Sequence, residues 1–198
     1  MNDIWAQLRE YTLQLIVGIP LPVYEGTASV LCLGVVVLIA CKGWKKGLQY
    51  AAVMTLICYI SLLYCSTLFF RVTKDVREYN FYPFWSYEKP ELLVENAMNV
   101  LVFIPVGMML GLVSQKTQKA QKRLWRTRIT RIALITGAGL IISISIEAMQ
   151  YFFHRGFAET DDVMHNTLGC LIGYGLYASI RYGYERIGKR SVNFLVEI

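Results

Sequence analysis

Apolar residues in this chain fall into long blocks separated by short polar stretches, and the block lengths decide what each can become. A helix needs about 20 apolar residues to cross roughly 30 Å of hydrocarbon. The block from Leu48 to Phe70 meets that length without a single charge. Leu92–Val113, Ile132–Phe153 and Val163–Ile180 follow, and Thr27–Cys41, preceded by Glu25 and followed by KGWKK, is a shorter first block. Five membrane-spanning helices are predicted. Residues 4–19 read differently, because Ile4, Trp5, Leu8, Tyr11, Leu15, Ile16 and Ile19 recur near helical spacing with Gln7, Glu10 and Gln14 opposite. That pattern predicts an interfacial helix lying on the membrane, ended by Pro20 and Pro22.

Composition agrees. Of 198 residues, 55% are hydrophobic and 17% charged, against roughly 45–50% and 25% in soluble domains. The expected class is an all-α polytopic membrane protein, with residues 1–198 forming one domain because spans and loops use the whole length. Cys32, Cys41, Cys58, Cys65 and Cys170 are scattered through apolar segments without a CxxC, so they read as small hydrophobes. The opening MNDIWAQLRE carries acids and no early apolar run with a small-residue cleavage site, so no cleavable signal is expected.

The net charge of +6 does not point to a nucleic-acid partner, because its distribution follows the membrane. Three Lys and Arg lie in 42–46, seven in 114–131 and four in 181–198, so fourteen of the twenty share one side, accompanied only by Glu185 and Glu197. The positive-inside rule places that side in the cytoplasm, with the N terminus outside and the C terminus inside. Loops 71–91 and 152–162 are then both extracytoplasmic, and the aromatics Tyr79, Phe81, Tyr82, Phe84, Trp85 and Tyr87 suit an interfacial belt or a roof over a cavity.

The candidate chemistry lies beneath those loops. Glu147 interrupts an apolar run, and a charge at such depth costs roughly 2.5–3.5 kcal/mol on insertion scales. Ser143, Glu147, Gln150 and His154 share a helix face, as do Asp162, Asn166, Gly169 and Gly173; Asn96, Asn99 and Phe103 align on the third span. Six residues from the outer end of its helix, Glu147 lies about 9 Å deep, a level Asn99 and Asn166 can reach. These polar groups could simply hydrogen-bond helices together. An intramembrane ionisable residue is nevertheless a functional hypothesis by default. Asp161 reads partly as a helix N-cap and Asp162 as a first-turn acid suited to the helix dipole. Arg71, Arg77 and Arg155 offer guanidinium forks for phosphate or carboxylate. No cofactor is implied; zinc on His154 and His165 with Glu147, Asp161 and Asp162 finds no HExxH-like spacing, while a hard cation on the carboxylates stays open.

Four ordered stretches carry a resemblance: REYNFYPF from Arg77, ENAMNVLVFIPVGMML from Glu95, SISIEAMQYFFHRGFAETDD from Ser143, and DDVMHNTLGCLIGY from Asp161. Over residues 77–175 the chain resembles the VanZ-like membrane proteins. Arg77, Asn80, Pro83, Phe84, Asn99, Pro105, Gly107, Glu147, Gln150, Arg155, Asp161, Asp162, Asn166 and Gly169 occupy motif positions, with HRGF standing where the pattern has G-R. The family takes its name from a protein associated with resistance to the lipoglycopeptide teicoplanin in Gram-positive bacteria, so the resemblance implies a phenotype without a reaction.

The leading expectation is an outer-leaflet site, built from Arg77, Asn80, Asn96, Asn99, Gln150, Arg155, Asp161 and Asn166 around Glu147 and Asp162. Its expected ligand is a membrane lipid or lipid-linked cell-wall precursor with an anionic headgroup, or the lipoglycopeptide itself. The alternative is an intramembrane enzyme acting on a lipid or polyprenyl headgroup, with Glu147 as general base and Asp162 beside it. A transporter is the weakest reading, since the basic inner half offers no matching polar path.

Overall fold

A computed structural model describes residues 26–35, 44–69, 71, 73–114 and 124–196. Five α-helices account for most of these: α1 (Gly26–Val35), α2 (Trp44–Tyr64), α3 (Leu93–Val113), α4 (Leu124–Phe153) and α5 (Thr160–Val196). Among the described residues three stretches are long and apolar enough to cross a membrane: Tyr50–Leu68, Pro90–Val113 and Ile129–Phe153. The expected interfacial helix at 4–19 and the end of the first block lie outside the described residues, as does half of the basic loop, 115–123. The fifth block is not among the three stretches; His165, Asn166, Thr167 and three glycines dilute its apolar residues.

Helix and apolar block do not end together. Helix α4 starts at Leu124, eight residues before the expected span, and α5 runs on from the apolar block through Arg181 and Arg186 to Val196. Lys and Arg are good helix formers. Loss of hydropathy marks where apolar surroundings end, and the backbone bonds continue past that point.

Helices α3 and α5 pack most closely, and glycine is the reason. A β-carbon at Gly169 would overlap the carbonyl of Val100, one at Gly173 that of Ile104, and one at Gly107 that of Cys170. Two helix backbones can approach to this distance only where side chains are missing. The core forms where α2, α3, α4 and α5 meet, around Leu56, Leu63, Phe103, Val106, Ile135, Ile146 and Cys170. Pro105 lies inside α3, where its missing N–H leaves the Leu101 carbonyl without its helical partner. The Tyr59 hydroxyl of α2 donates to the adjacent carbonyl, Val102, at 2.8 Å.

One end of the bundle is closed by two loops that hold each other. Tyr79–Asn80 (β1) pairs in parallel with Ala158–Glu159 (β2), and Thr73 bridges Arg155. The turn that brings the second loop round is a Schellman motif, in which Arg155 N–H donates to the Gln150 carbonyl at 2.9 Å across His154 at φ 57°. A non-glycine residue is uncommon in that left-handed conformation, and the first loop holds it there. The His154 carbonyl accepts from Lys74 N–H at 2.8 Å, and its ring Nε2 accepts from Arg77 Nε at 3.0 Å. Both loops therefore sit at the same end, as the topology reading requires.

Candidate functional site

Beneath the paired loops, α2, α3, α4 and α5 enclose a cavity of about 50 Å³. Helix α4 supplies Ile146, Glu147 and Gln150; α5 supplies Asp162 and Asn166; α3 supplies Asn99, Val102 and Phe103. Leu63 closes it from α2, with Ser66 and Thr67 from the π-helical turn Cys65–Phe69 at that helix's end, and Arg71 follows at the mouth. Such turns interrupt a helix where its side chains must be re-aimed, frequently at functional sites.

The bonding within the cavity orients its walls. Glu147 Oε2 accepts from the Glu159 backbone N–H at 2.9 Å, tying the α4 carboxylate to the second loop. Asn99 Nδ2 donates to Asp162 Oδ1 at 2.6 Å, and Asn166 Nδ2 donates to Ser143 Oγ at 2.9 Å. The Thr67 and Ser66 hydroxyls donate to the Leu63 carbonyl at 2.8 and 2.9 Å. Glu147, Gln150 and Asn166 are all buried, Gln150 to 4% exposure, and Gln150 Oε1 has no hydrogen-bond partner among the described residues. Arg71 is exposed at the mouth and makes no ion pair within 4 Å among the described residues.

A second polar cluster lies alongside, centred on a carboxylate bonded through both oxygens. Asp161, 1% exposed, accepts from Phe84 N–H at 2.6 Å, Ser86 N–H at 3.0 Å and Ser86 Oγ at 2.5 Å. Asn96 Nδ2 donates to the same Ser86 oxygen at 3.0 Å, and Tyr87 OH meets His165 Nε2 at 2.8 Å. Phe84, at φ 65°, is the second non-glycine residue in the left-handed region, and Asp161 holds its backbone there. Because α5 starts at Thr160, Asp161 is a first-turn residue whose carboxylate caps the other loop, not its own helix. That corrects its reading as an N-cap.

The VanZ/LLP1 family model matches residues 48–181. The chain belongs to that family. Comparison with curated proteins finds no match, nor does comparison with solved structures.

Of the residues expected to share one site, Asn99, Glu147, Gln150, Asp162 and Asn166 line one cavity. Asn96 and Asp161 go to the loop clamp. Asn80 accepts from Tyr82 N–H at 2.9 Å and shapes the turn before Pro83. Arg77 lies over the Tyr151 ring at 5.3 Å, and Arg155 Nη1 donates to the carbonyls of Leu68 at 2.8 Å and Arg71 at 3.2 Å. The cavity's arginine is Arg71, outside the family motifs quoted above. Its signal in the sequence is position: it is the first cation after an uncharged span. Gly156, at φ 97°, makes room for it, since a β-carbon there would sit 2.6 Å from Arg71 Nη1.

The aromatics divide too. Tyr79, Phe81, Tyr82, Phe84 and Tyr87 are exposed, and none of them lines the cavity. Trp85 turns in and donates its indole N–H to Glu159 Oε2 at 2.9 Å. Burial pushes the Glu159 carboxyl up to about 7; the Trp85 N–H opposes that shift, and the nearby charges of Glu95 and Asp161 add to it.

Proposed function

We propose that this VanZ-like membrane protein crosses the bilayer five times, with its paired loops outside, and that the cavity beneath them receives the headgroup of an outer-leaflet lipid or lipid-linked wall precursor. The supporting observation is the meeting of a rim guanidinium, Arg71, with two carboxylates and three carboxamides from three helices in one cavity. A guanidinium at a lipid-accessible mouth suits a phosphate bidentately. The polar groups below it have a use that helix association alone does not require, because Gln150 Oε1 bonds no neighbouring helix among the described residues. Occupation of a lipid or precursor headgroup, or altered entry of a lipidated antibiotic, would connect the site to the family's teicoplanin phenotype.

Two measurements test this. Deleting the protein from its host should sensitise cells to teicoplanin far more than to vancomycin, which lacks the lipid tail; equal shifts for both drugs count against the resistance role. Lipid co-purifying with wild type should be depleted in R71A and E147Q at matched thermal stability, and unchanged retention in both would remove the headgroup reading.

The two carboxylates on one cavity favour a second reading, an intramembrane enzyme with Glu147 as general base toward a headgroup. The two readings part in the E147Q strain. An enzyme leaves that strain with the altered lipid profile of the deletion strain, whereas a binding protein leaves the bulk profile unchanged.

A further inference from the structure

Two carboxylates and an unpartnered amide oxygen share the cavity wall, and they bear on what it can hold. Asn99 and Asn166 each give an amide N–H to Asp162 and Ser143, and the hydroxyls of Ser66 and Thr67 go to backbone carbonyls. Glu147 and Asp162 contribute carboxylates to the same space, and Gln150 Oε1, on a side chain only 4% exposed, has no donor among the described residues. An unpaired buried acceptor of this kind costs about 1–3 kcal/mol, and a donor from outside the chain removes the cost. The only cation among the lining residues is Arg71, at the mouth. An anion deep in the cavity has no N–H to give Gln150 Oε1 or the two carboxyl groups; an ammonium has three.

Volume narrows the choice further. A water-sized group needs about 10–15 Å³ of such space, so 50 Å³ accommodates about three to five of them. That fits the three heavy atoms of an aminoethyl arm and excludes a sugar or a peptide.

We propose that the ligand is an aminoalkyl phosphate, its primary ammonium seated on Glu147, Asp162 and Gln150 Oε1 and its phosphate held at the mouth by Arg71. This deepens the headgroup reading and rests on it, replacing an anionic headgroup by a zwitterionic one. A quaternary ammonium has no N–H to give Gln150 and is too bulky for the space, so choline headgroups are excluded along with purely anionic ones.

The test uses the purified full-length protein in detergent and native mass spectrometry with equal amounts of dioleoyl phosphatidylethanolamine, phosphatidylglycerol and phosphatidylcholine. Wild type should retain the ethanolamine lipid at least about ten-fold better than either of the others. E147Q should lose that preference, and Q150M, which keeps the side-chain volume and the apolar packing, should lose it without loss of thermal stability. Glycerophosphoethanolamine, the same headgroup without chains, should compete, and glycerophosphate should not. Equal or better retention of phosphatidylglycerol, or competition by glycerophosphate, overturns the amine assignment while leaving headgroup binding standing. Retention of none of the three lipids overturns both.

Discussion

Asp161 and Asp162 are neighbours in the first turn of α5, and they end in opposite situations. Asp161 is surrounded by donors from the first loop, three bonds to one buried carboxylate. Asp162 lines the cavity, where Asn99 bonds one oxygen and Glu147 and Gln150 share the same space. Around the Asp161 carboxylate three donors from the loop converge; beside Asp162 the Gln150 acceptor is left over. The difference separates holding the fold from holding something else. It yields predictions of unequal size and, in one case, of opposite sign.

The largest effect belongs to the Asp161 cluster. D161A strips the acceptor from two backbone N–H groups and one hydroxyl, at about 1.5–3 kcal/mol for each bond to a charged group and with incomplete additivity, so a loss of roughly 3 kcal/mol or more is expected. Phe84 is then free to leave the left-handed region, and the loop should open. D162N keeps an oxygen for Asn99 and should cost under about 1 kcal/mol. Tryptophan-fluorescence unfolding in detergent measures both. Equal losses would erase the distinction between the two aspartates.

Next comes Gly156, which joins the loop to the cavity mouth. Alanine there meets a φ of 97° and the Arg71 guanidinium together, costing about 1–3 kcal/mol of strain. G156A should also move Arg71 and so weaken lipid retention in step with R71A. R155A should destabilise through the lost bonds to Leu68 and Arg71 carbonyls while sparing the lipid's selectivity. A selectivity change in R155A comparable with that in R71A would return Arg155 to the site.

How much of this could be read from the chain follows from what each signal depends on. The three long apolar stretches and the Gly169–Gly173 stripe are legible because they are local and periodic. So is the shared face of Ser143, Glu147 and Gln150, which the fold buries together. The separation of Asp161 from Asp162 is not legible, because it depends on a loop 75 residues away presenting the Ser86 N–H. Nor is the exchange of Arg77 and Arg155 for Arg71. All three are cations near the same boundary, and only the Schellman turn at His154 and the strand pairing beyond it decide which of them faces inward. The helix ends at Leu124 and Val196 are not legible either, because hydropathy marks the apolar block and the helix continues past it.

Gln150 supplies the effect of opposite sign. Because its Oε1 is buried without a donor among the described residues, Q150M removes an unsatisfied acceptor at nearly constant volume. It should stabilise the empty protein by up to about 1 kcal/mol. The same substitution should reduce retention of an amine-bearing lipid. Improved stability with unchanged retention would show that the leftover acceptor serves no ligand.

The smallest effect is a slope with pH, and it comes from the loop between the two clusters. Glu159 has its carboxyl raised from an ordinary 4.5 to about 7 by burial, and it gives its backbone N–H to Glu147 and takes the Trp85 indole N–H. Between those two values the folded chain holds a proton that the unfolded chain has released. The contribution to stability is therefore complete below about pH 4.5 and is lost as pH rises through 7. Glu159 is half-buried, so solvent screening keeps the amplitude modest. Unfolding midpoints at pH 5.5, 7 and 8.5 should fall in wild type and change less steeply in E159Q, which fixes the neutral form. In W85F the carboxylate loses a donor to its charged form, so the fall should move to higher pH. A wild-type slope identical to that of E159Q would mean that this carboxylate titrates no differently in the folded loop, and that the junction between clamp and cavity is wetter than its burial implies.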